Sequence, residues 1–442
     1  MSLLLKNARV MDPASSLDGR RDVLIAGGKI AAIEPMIPEN TFPRTKSEGE
    51  DSSFPQDGVI DCAGKVLVPG LVDMHCHLRE PGFEYKETIE SGSMAGVAGG
   101  YTSLVCMANT LPANDCRAVT EFILQQAREH ACAHIFPVGA VTKGLQGESL
   151  AEMAELRDAG VIAFSDDGKP VGNAGLFRRA LEYVSSLGLI IISHCENLEL
   201  TGQGVMNEGY VATTLGLRGI PNAAEEVMVL RDIALAELTG ASLHVAHVST
   251  RESVRAIREA KSRGLRVTAE TAPHYFSLTD EAVQGFNTNA KMSPPLRREK
   301  DVQAIIEGLR DGTLDAIATD HAPQSAVEKD VEFEYAANGI IGLETALPLT
   351  LKLVHEGHLS LMKVIETLTL QPARILGLDK GRLRVNGDAD LTLIDLDREH
   401  TVERSQFRSK SRNSPFQGWK LKGLAIMTIV SGRMVYRAPK LS

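Results

Sequence analysis

Between residues 66 and 380, short apolar runs alternate with segments of helical periodicity, and this alternation constrains the fold more than any other feature. Segments such as AEEVMVLRDIALAELTG and DVQAIIEGLRDG carry apolar residues at helical spacing and end in glycine, as crossover helices do. Nearly continuous apolar strands are typical of a parallel sheet that is covered on both faces. The sequence therefore predicts an α/β fold, a parallel (β/α)8 TIM barrel over residues 66–380. The eight predicted strands are KVLVPGLVDMHCH, GYTSLVCM, AHIFPVGAV, GVIAFSDD, GLIIISHC, SLHVAHV, LRVTAETA and LDAIATD.

Polar residues collect at the carboxyl ends of five of these strands, where a barrel of this type carries its catalytic groups. Residues i and i+2 of a strand share a face, so His75 and His77 can hold one cation together. The whole set is larger than a single tetrahedral ion requires, which predicts a centre of two metal ions. Imidazole and carboxylate ligands leave zinc, manganese and iron open. The residues are His75 and His77 on the first strand, Asp166 and Asp167 on the fourth, His194 on the fifth, His247 on the sixth and Asp320 on the eighth.

Strand alternation also predicts which polar side chains stay out of this centre. Asp166 and Asp167 face opposite ways on a regular strand, so only one of them can reach the mouth of the barrel. His244 lies three residues before His247, and we expect it to pack against the helix layer. His274 and His321 are candidates for side chains that lie behind the ligands.

Both ends of the chain, residues 1–65 and 381–442, predict a small β-sandwich domain. DVLIAGGKIAAIE reads as two strands about a Gly-Gly turn, and GRLRVNGDADLTLIDLD and GLAIMTIVSGRMVY read as strands near the carboxyl end. A polar, charged stretch at about 39–58 has no periodicity and is expected to be an exposed insertion without a chemical role.

Composition narrows the class of partner. The net charge is −10 and there is no block of Lys and Arg, which argues against a nucleic-acid or membrane-surface partner and favours a small-molecule substrate. The amino terminus lacks the apolar core of a signal peptide and no apolar stretch is long enough to span a membrane, so a cytoplasmic location is predicted.

Specific motifs are spread over nearly the whole chain: PGLVDMHCHLREPG, CMANT, AFSDDGKPV, SHCEN, HVAHVST, PPLR, ATDHAP and SKSRNSPF. Together they resemble the class I dihydroorotases of the amidohydrolase superfamily. The H-x-H pair alone would indicate only the superfamily, whereas HLREPG with CMANT and SKSRNSPF is typical of the dihydroorotase branch. The resemblance implies a zinc-dependent barrel that interconverts N-carbamoyl-L-aspartate and L-dihydroorotate in de novo pyrimidine biosynthesis.

The resemblance also implies a role for each metal-site residue. Two zinc ions per subunit are expected, bridged by a carboxylate and a hydroxide. The matching segment here is FSDDG, and relatives with that motif bridge the ions through the second aspartate, which is Asp167. Asp320 matches the catalytic carboxylate that also binds the first metal and transfers the proton. The remaining matched ligands are His75 and His77 for the first ion and His194 and His247 for the second.

Substrate-binding residues are implied in the same way, with three departures from the family pattern. Arg79 and Asn109 match residues that bind the substrate carboxylate, which arginine can hold by a pair of hydrogen bonds. Gln324 stands where the family usually has a histidine that contacts the same carboxylate, and glutamine carries no charge. Ser293 replaces an asparagine and Ala108 a proline, and the last change is expected to be neutral.

Two alternatives therefore stay open. Gln324 and Ser293 are compatible with another cyclic amide substrate, as in an allantoinase-like or hydantoinase-like enzyme. A non-catalytic homologue that acts as a structural partner of aspartate transcarbamoylase is the other alternative, although such relatives have typically lost metal ligands. Because members of the family are often dimers, a homodimer is expected, and association with aspartate transcarbamoylase is a further expectation.

Overall fold

The computed structural model describes residues 2–39 and 57–439, so most of the predicted insertion at about 39–58 lies outside the described residues. The strands are β1 (Ser2–Asp12), β2 (Leu17–Ala26), β3 (Lys29–Glu34), β4 (Gly58–Asp61), β5 (Val66–Pro69), β6 (Leu71–Cys76), β7 (Tyr101–Cys106), β8 (His134–Pro137), β9 (Ile191–Ser193), β10 (Met206–Asn207), β11 (Gly219–Ile220), β12 (Leu243–Val245), β13 (Val267–Thr271), β14 (Ala316–Ile317), β15 (Leu391–Thr401), β16 (Lys420–Val430) and β17 (Arg433–Arg437).

Helices occupy most of the connections between the barrel strands. The α-helices are α1 (Ile89–Ala98), α2 (Arg117–His130), α3 (Met153–Ala159), α4 (Ala174–Ser186), α5 (Leu198–Thr201), α6 (Tyr210–Leu215), α7 (Ala223–Thr239), α8 (Arg251–Ser262), α9 (Pro273–Ser277), α10 (Glu299–Asp311), α11 (Ala326–Lys329), α12 (Ala346–His355), α13 (Leu361–Leu368) and α14 (Leu370–Ile375). Short 3-10 helices lie at Lys143–Leu145, Asp280–Phe286, Thr288–Ala290 and Arg404–Gln406. Within residues 2–39 and 57–439, none of the helices has the length and apolar character needed to cross a membrane.

One eight-stranded sheet combines strands from both ends of the chain. Its order is β17-β16-β15-β5-β1-β2-β3, and β4 pairs with β1 beside this path. The antiparallel β2–β3 hairpin turns at Gly27 and Gly28, whose φ angles of 56° and 80° favour glycine. An apolar cluster that includes Leu5, Leu391 and Ile429 packs under the sheet, so the two chain ends share one core.

The first predicted barrel strand is in fact two strands that belong to different sheets. β5 pairs with β1 and β15 in the terminal sheet, whereas β6 pairs with β7 in the barrel. The chain passes between them at Gly70, where any side chain would collide with Thr102. The pairing of the terminal sheet therefore continues to residue 69, beyond the predicted boundary between residues 65 and 66.

The barrel ring is made of two ladders and three isolated bridges, all of them parallel. β6, β7 and β8 form one ladder, and β9, β12, β13 and β14 form the other. Phe164 bridges Gly139 and Ile191 and so joins the ladders, while the pair of Cys76 with His321 closes the ring. The predicted (β/α)8 class is confirmed, with its fourth strand reduced to the bridge at Phe164.

An apolar cluster fills the interior of the ring. It contains Met74, Val105, Ile192 and Ala316, which come from strands all around the barrel and can meet only inside it. The polar groups of the strand ends therefore lie above a packed plug, at the mouth of the barrel.

Candidate metal centre and substrate cavity

The carboxylate of Asp167 lies among four buried histidines at the mouth of the barrel. One of its oxygens faces three imidazoles and the other oxygen faces the fourth. A carboxylate placed in this way can bridge two cation sites. The contacts are His75 Nε2 to Oδ1 at 3.3 Å, His194 Nδ1 to Oδ1 at 3.3 Å, His247 Nε2 to Oδ1 at 3.4 Å and His77 Nε2 to Oδ2 at 3.4 Å.

Asp320 completes the set on the side of the first two histidines. Its Oδ1 lies 3.3 Å from His77 Nε2 and 3.7 Å from His75 Nε2. Two groups of three residues, His75 with Asp167 and His247, and His75 with His77 and Asp320, each have ligand atoms within 4.8 Å of one another. The structure thus brings all six predicted ligands into one cluster.

Two unpaired polar atoms in this cluster are suited to bind a metal ion. His75 Nε2 and Asp320 Oδ2 are buried and have no hydrogen-bond partner among the residues that the structure describes. Buried polar atoms are normally paired, so these two atoms call for a cation or a solvent partner. Imidazole nitrogen and carboxylate oxygen form a donor set that suits zinc.

The two carboxylates of the centre stay ionised although they are buried. Burial opposes ionisation of both carboxylates, yet contacts with the histidines hold the pKa of Asp167 well below 3.8 and lower the pKa of Asp320. Both carboxylates are therefore ionised at neutral pH, and the same contacts outweigh burial and raise the pKa of His75 well above 6.5 and that of His194 to about 10.

Asp166 takes a different role from its neighbour. Its Oδ1 accepts hydrogen bonds from the backbone N–H groups of Val141 and Thr142 at 2.7 and 3.1 Å, and its Oδ2 accepts one from the Thr142 hydroxyl. Asp166 therefore ties together two loops beside the barrel, and it is Asp167 that reaches the centre.

The prediction that His244 packs against the helix layer is wrong. Its Nε2 lies 3.3 Å from Oε2 of Glu270, and its Nδ1 lies 2.8 Å from the hydroxyl of Thr268, inside the barrel. The prediction carried strand alternation on to His247, but β12 ends at Val245 and His247 has a φ of 32°. Residues beyond the end of a strand do not follow its alternation.

Three ligand histidines contact a protein acceptor through the ring nitrogen that faces away from Asp167. Sequence reasoning missed the two glutamates of this set. A signal was present for both, because Glu270 interrupts the apolar strand VTAET and Glu196 follows His194 by two residues in SHCEN. The pairs are His75 Nδ1 with Glu270 Oε1 at 2.7 Å, His77 Nδ1 with Asn109 Oδ1 at 2.9 Å and His194 Nε2 with Glu196 Oε2 at 3.3 Å.

His321 and His274 are the two histidines predicted to lie behind the ligands. His321 Nδ1 accepts a hydrogen bond from the backbone N–H of Gly342 at 3.1 Å, and its Nε2 lies 3.3 Å from Oε2 of Glu87. These contacts hold the strand end that carries Asp320. Burial lowers the pKa of His274 to about 4, so this side chain is neutral.

A cavity of about 620 Å³ opens above the cluster and is lined by Arg79, Asn109, Ser293 and Gln324 as well as by metal-site residues. Arg79 donates from Nε to the carbonyl of Pro323 at 3.1 Å, which holds the guanidinium at the cavity wall. The structure therefore places all three predicted substrate-binding residues around one space.

The amide of Gln324 is fixed by two neighbours. Its Oε1 accepts a hydrogen bond from Lys86 Nζ at 2.8 Å, and its Nε2 donates to the carbonyl of Asn338 at 2.7 Å. Lys86 also lies 2.7 Å from a carboxylate oxygen of Glu328. Sequence reasoning missed Lys86, which places a positive charge directly behind the glutamine.

Solved structures of cyclic amidohydrolases share this architecture. L-Hydantoinase (dihydropyrimidinase) from Arthrobacter aurescens matches with a TM-score of 0.85 and 27% identity, over 100% of this chain and 97% of that one. Dihydropyrimidinase from Brevibacillus agri matches with a TM-score of 0.84 and 25% identity, over 99% of this chain and 95% of that one.

Curated relatives match at higher identity. The dihydroorotase of Syntrophus aciditrophicus is 57% identical over 438 residues, which cover 99% of this chain and 100% of the relative. The dihydroorotase of Geobacter sp. (strain M21) is 53% identical over 439 residues, with 99% and 100% covered. The family described as Dihydro-orotase-like matches residues 64–253, and the Amidohydrolase family matches residues 219–436. The chain therefore belongs to the dihydroorotase family of amidohydrolases.

Proposed function

We propose that the chain interconverts L-dihydroorotate and N-carbamoyl-L-aspartate, the ring-closing step of de novo pyrimidine biosynthesis. The observation that carries the proposal is the position of Asp167, whose two oxygens lie 3.3 to 3.4 Å from nitrogens of four histidines. Full-length identity of 57% and 53% to dihydroorotases supports this substrate over that of the hydantoinases, for which identity is 27% or less. The complete ligand cluster argues against a non-catalytic homologue.

The metal part of the proposal is a pair of zinc ions. Asp167 would bridge the two ions, because its oxygens face both groups of histidines. When bound, the ions supply Lewis acidity, which lowers the pKa of an attacking water and polarises the ring carbonyl. The other ligands would be His75, His77 and Asp320 for the first ion and His194 and His247 for the second.

Proton transfer is assigned to Asp320. In ring opening, a water oxygen adds to the ring carbonyl carbon, and the bond from that carbon to the ring nitrogen breaks. Oδ2 of Asp320 is buried and unpaired among the described residues, so it is available to accept the proton of the water. Asp320 then passes this proton to the departing nitrogen, and the reverse order closes the ring.

Substrate recognition is assigned to Arg79, Asn109 and Gln324. The guanidinium of Arg79 would hold the substrate carboxylate by two charge-assisted hydrogen bonds. The side-chain amide of Gln324 has two N–H groups, and only one is needed for the contact with the Asn338 carbonyl, so the other can reach the substrate. Lys86, which is paired with Glu328, would hold the amide of Gln324 in position through the hydrogen bond to its Oε1.

From the family resemblance we also propose that the chain forms a homodimer and acts in the cytoplasm. Aspartate transcarbamoylase is a candidate partner. Sedimentation of the purified chain with and without that enzyme measures both associations. A monomer that does not sediment with the transcarbamoylase would contradict this part.

One experiment tests metal and substrate together. The metal content of the purified protein is measured beside assays in both directions with dihydroorotate and N-carbamoyl-aspartate, and with hydantoin and allantoin as competing substrates. We expect about two zinc ions per chain and turnover of the dihydroorotate pair, and we expect the His75→Ala variant to lose metal and activity together. Ring opening of hydantoin or allantoin without turnover of dihydroorotate would overturn the proposed substrate.

A further inference from the structure

A buried carboxylate that has no part in the proposed reaction contacts the first metal-site histidine. Oε1 of Glu270 lies 2.7 Å from Nδ1 of His75, and both side chains are fully buried. Glu270 is in β13, so it reaches His75 across the interior of the barrel. A charged side chain in that position requires partners, because burying an unpaired carboxylate is costly.

Glu270 has an imidazole at each of its two oxygens. Oε2 lies 3.3 Å from Nε2 of His244, on the side opposite to His75. The contact with His75 is a short hydrogen bond, whereas the contact with His244 is a longer ion-pair distance. A carboxylate has no hydrogen to donate, so it can act only as the acceptor towards these imidazoles.

An acceptor at Nδ1 decides which nitrogen of His75 is left to bind a cation. Because Glu270 accepts a hydrogen bond from Nδ1, a neutral His75 carries its hydrogen there and keeps a lone pair on Nε2. Nε2 is the atom that lies 3.3 Å from Asp167 and 3.7 Å from Asp320. Glu270 thus selects the form of His75 that can act as a ligand.

His244 in turn is held by Thr268. Its Nδ1 lies 2.8 Å from the hydroxyl of Thr268, and the two residues are direct partners in the β12–β13 ladder. Thr268 and Glu270 are two residues apart on β13 and share a face. The chain of contacts Thr268, His244, Glu270 and His75 therefore joins three strands and leaves the carboxylate little freedom to turn.

We propose that Glu270, held in place by His244, is a positioning residue that fixes the tautomer and ring orientation of His75 and thereby increases the affinity of the centre for its first metal ion. The inference rests on the proposed function in one respect, since it takes His75 as a ligand. Removing a carboxylate behind a ligand histidine typically weakens metal binding by about 10- to 100-fold.

The test uses Glu270→Gln, which keeps the size of the side chain and removes its charge. Metal-free wild-type and variant proteins are titrated with Zn²⁺ by calorimetry and with Co²⁺ by visible absorption. We expect one of the two binding steps to weaken by about 10- to 100-fold, an altered cobalt spectrum, and recovery of much of the activity in excess zinc.

Asp390→Asn is the matched control. Asp390 is also a buried carboxylate in contact with a histidine, since its oxygens lie 3.1 Å from Nε2 of His134. His134 begins β8, so this pair lies at the amino-terminal end of the strands, away from the metal cluster. The control is expected to lower thermal stability while zinc affinity and the cobalt spectrum stay as in the wild type.

His244→Gln provides a second arm in case Glu270→Gln does not fold. It leaves the carboxylate in place but removes the imidazole that holds it, so a smaller loss of zinc affinity is expected. Wild-type zinc affinity and an unchanged cobalt spectrum in the variants that fold would overturn the positioning role. A wild-type protein that binds no zinc would overturn the proposed metal centre itself, and this role with it.

Discussion

Arg79 combines a charged side chain with an unusual backbone. Its φ of 65° lies in the left-handed region that residues other than glycine seldom adopt, and such conformations concentrate at functional sites. Burial lowers the pKa of the guanidinium, yet arginine keeps its charge in proteins. The loop after β6 thus holds a partly buried cation at the wall of the cavity, where it can pair with a substrate carboxylate.

Replacing Arg79 by methionine should separate substrate binding from metal binding. We expect KM for dihydroorotate to rise about 10- to 100-fold, because a hydrogen bond to a charged group contributes about 1.5–3 kcal/mol, with zinc content unchanged. Steady-state kinetics and metal analysis of the same preparation measure both. Arg79→Lys, which keeps the charge but not the paired geometry, should fall between the two. Wild-type kinetics in Arg79→Met would rule out its contact with the carboxylate.

For single residues, the sequence predicts the candidate metal ligands better than it predicts the side chains that hold the site residues in position. The histidines and aspartates follow apolar runs, and the carboxyl ends of barrel strands meet at one rim, so their convergence can be anticipated. Glu270 and Lys86 belong to other strands and loops than the side chains they contact. No local spacing links Glu270 to His75, which is 195 residues away in the chain, and only the closed barrel brings the two together.

The segment 409–413 shows why a sequence motif far from the catalytic strands belongs to the site. Asn413 accepts a hydrogen bond from the backbone N–H of Gln324 at 3.0 Å and donates to the carbonyls of Ala322 and Gly339 at 2.9 and 3.0 Å. At its other end, the backbone N–H of Lys410 donates to Glu87 at 3.0 Å. The segment therefore fastens the loops that follow β6 and β14 to each other.

Asn413→Ala removes three buried hydrogen bonds and frees the backbone of Gln324. We expect the free energy of unfolding to fall by about 1–3 kcal/mol, together with a higher KM for dihydroorotate because Gln324 loses its fixed position. Denaturant unfolding and steady-state kinetics measure the two effects. Gln417→Ala removes two exposed hydrogen bonds, with the Arg404 N–H and with Glu403, and should lower stability less than Asn413→Ala while KM stays as in the wild type. Equal behaviour of the two variants would show that Asn413 does not support the cavity.

Element boundaries were the least predictable part of the fold. The alternation of strands and helices follows from apolar patterning, but the division of the first run at Gly70 depends on Thr102 of the neighbouring strand. The fourth strand is reduced to a bridge at Phe164, although its sequence is as apolar as the others. Patterning reports that a segment is buried and extended, whereas pairing depends on partners that are distant in the chain.

For the whole molecule, metal removal should lower stability as well as activity. A ligand present at a thousand times its Kd stabilises the folded state by about 4 kcal/mol, so chelation should lower Tm and abolish turnover, and zinc should restore both. Differential scanning calorimetry with and without a chelator measures this. His75→Ala should respond much less to the same treatment. A Tm of the wild type that does not change with chelation would contradict a tightly bound metal centre.

The terminal sheet is joined to the barrel by contacts around its central strands. Thr392 of β15 donates a hydrogen bond to the carbonyl of Gly100 at 2.6 Å, and Thr428 of β16 donates to the carbonyl of Val97 at 2.7 Å. Lys380 Nζ lies 2.7 Å from Asp390. The Lys380–Asp390 pair joins residues on the two sides of the predicted boundary between residues 380 and 381. The two threonine contacts attach the terminal sheet to the barrel beside α1.

Because the β-bridge between Cys76 and His321 joins the first and last barrel strands, the candidate metal centre can form only late in folding. Beside it, the Asp320 N–H donates to the carbonyl of His75 at 3.0 Å, and the His77 N–H donates to the carbonyl of His321 at 2.9 Å. His77 and Asp320 are 243 residues apart, so a ribosome has made most of the chain before both exist. A metal ion held by both residues would therefore bind only late in folding. Its uptake would report that the last barrel strand has docked against the first.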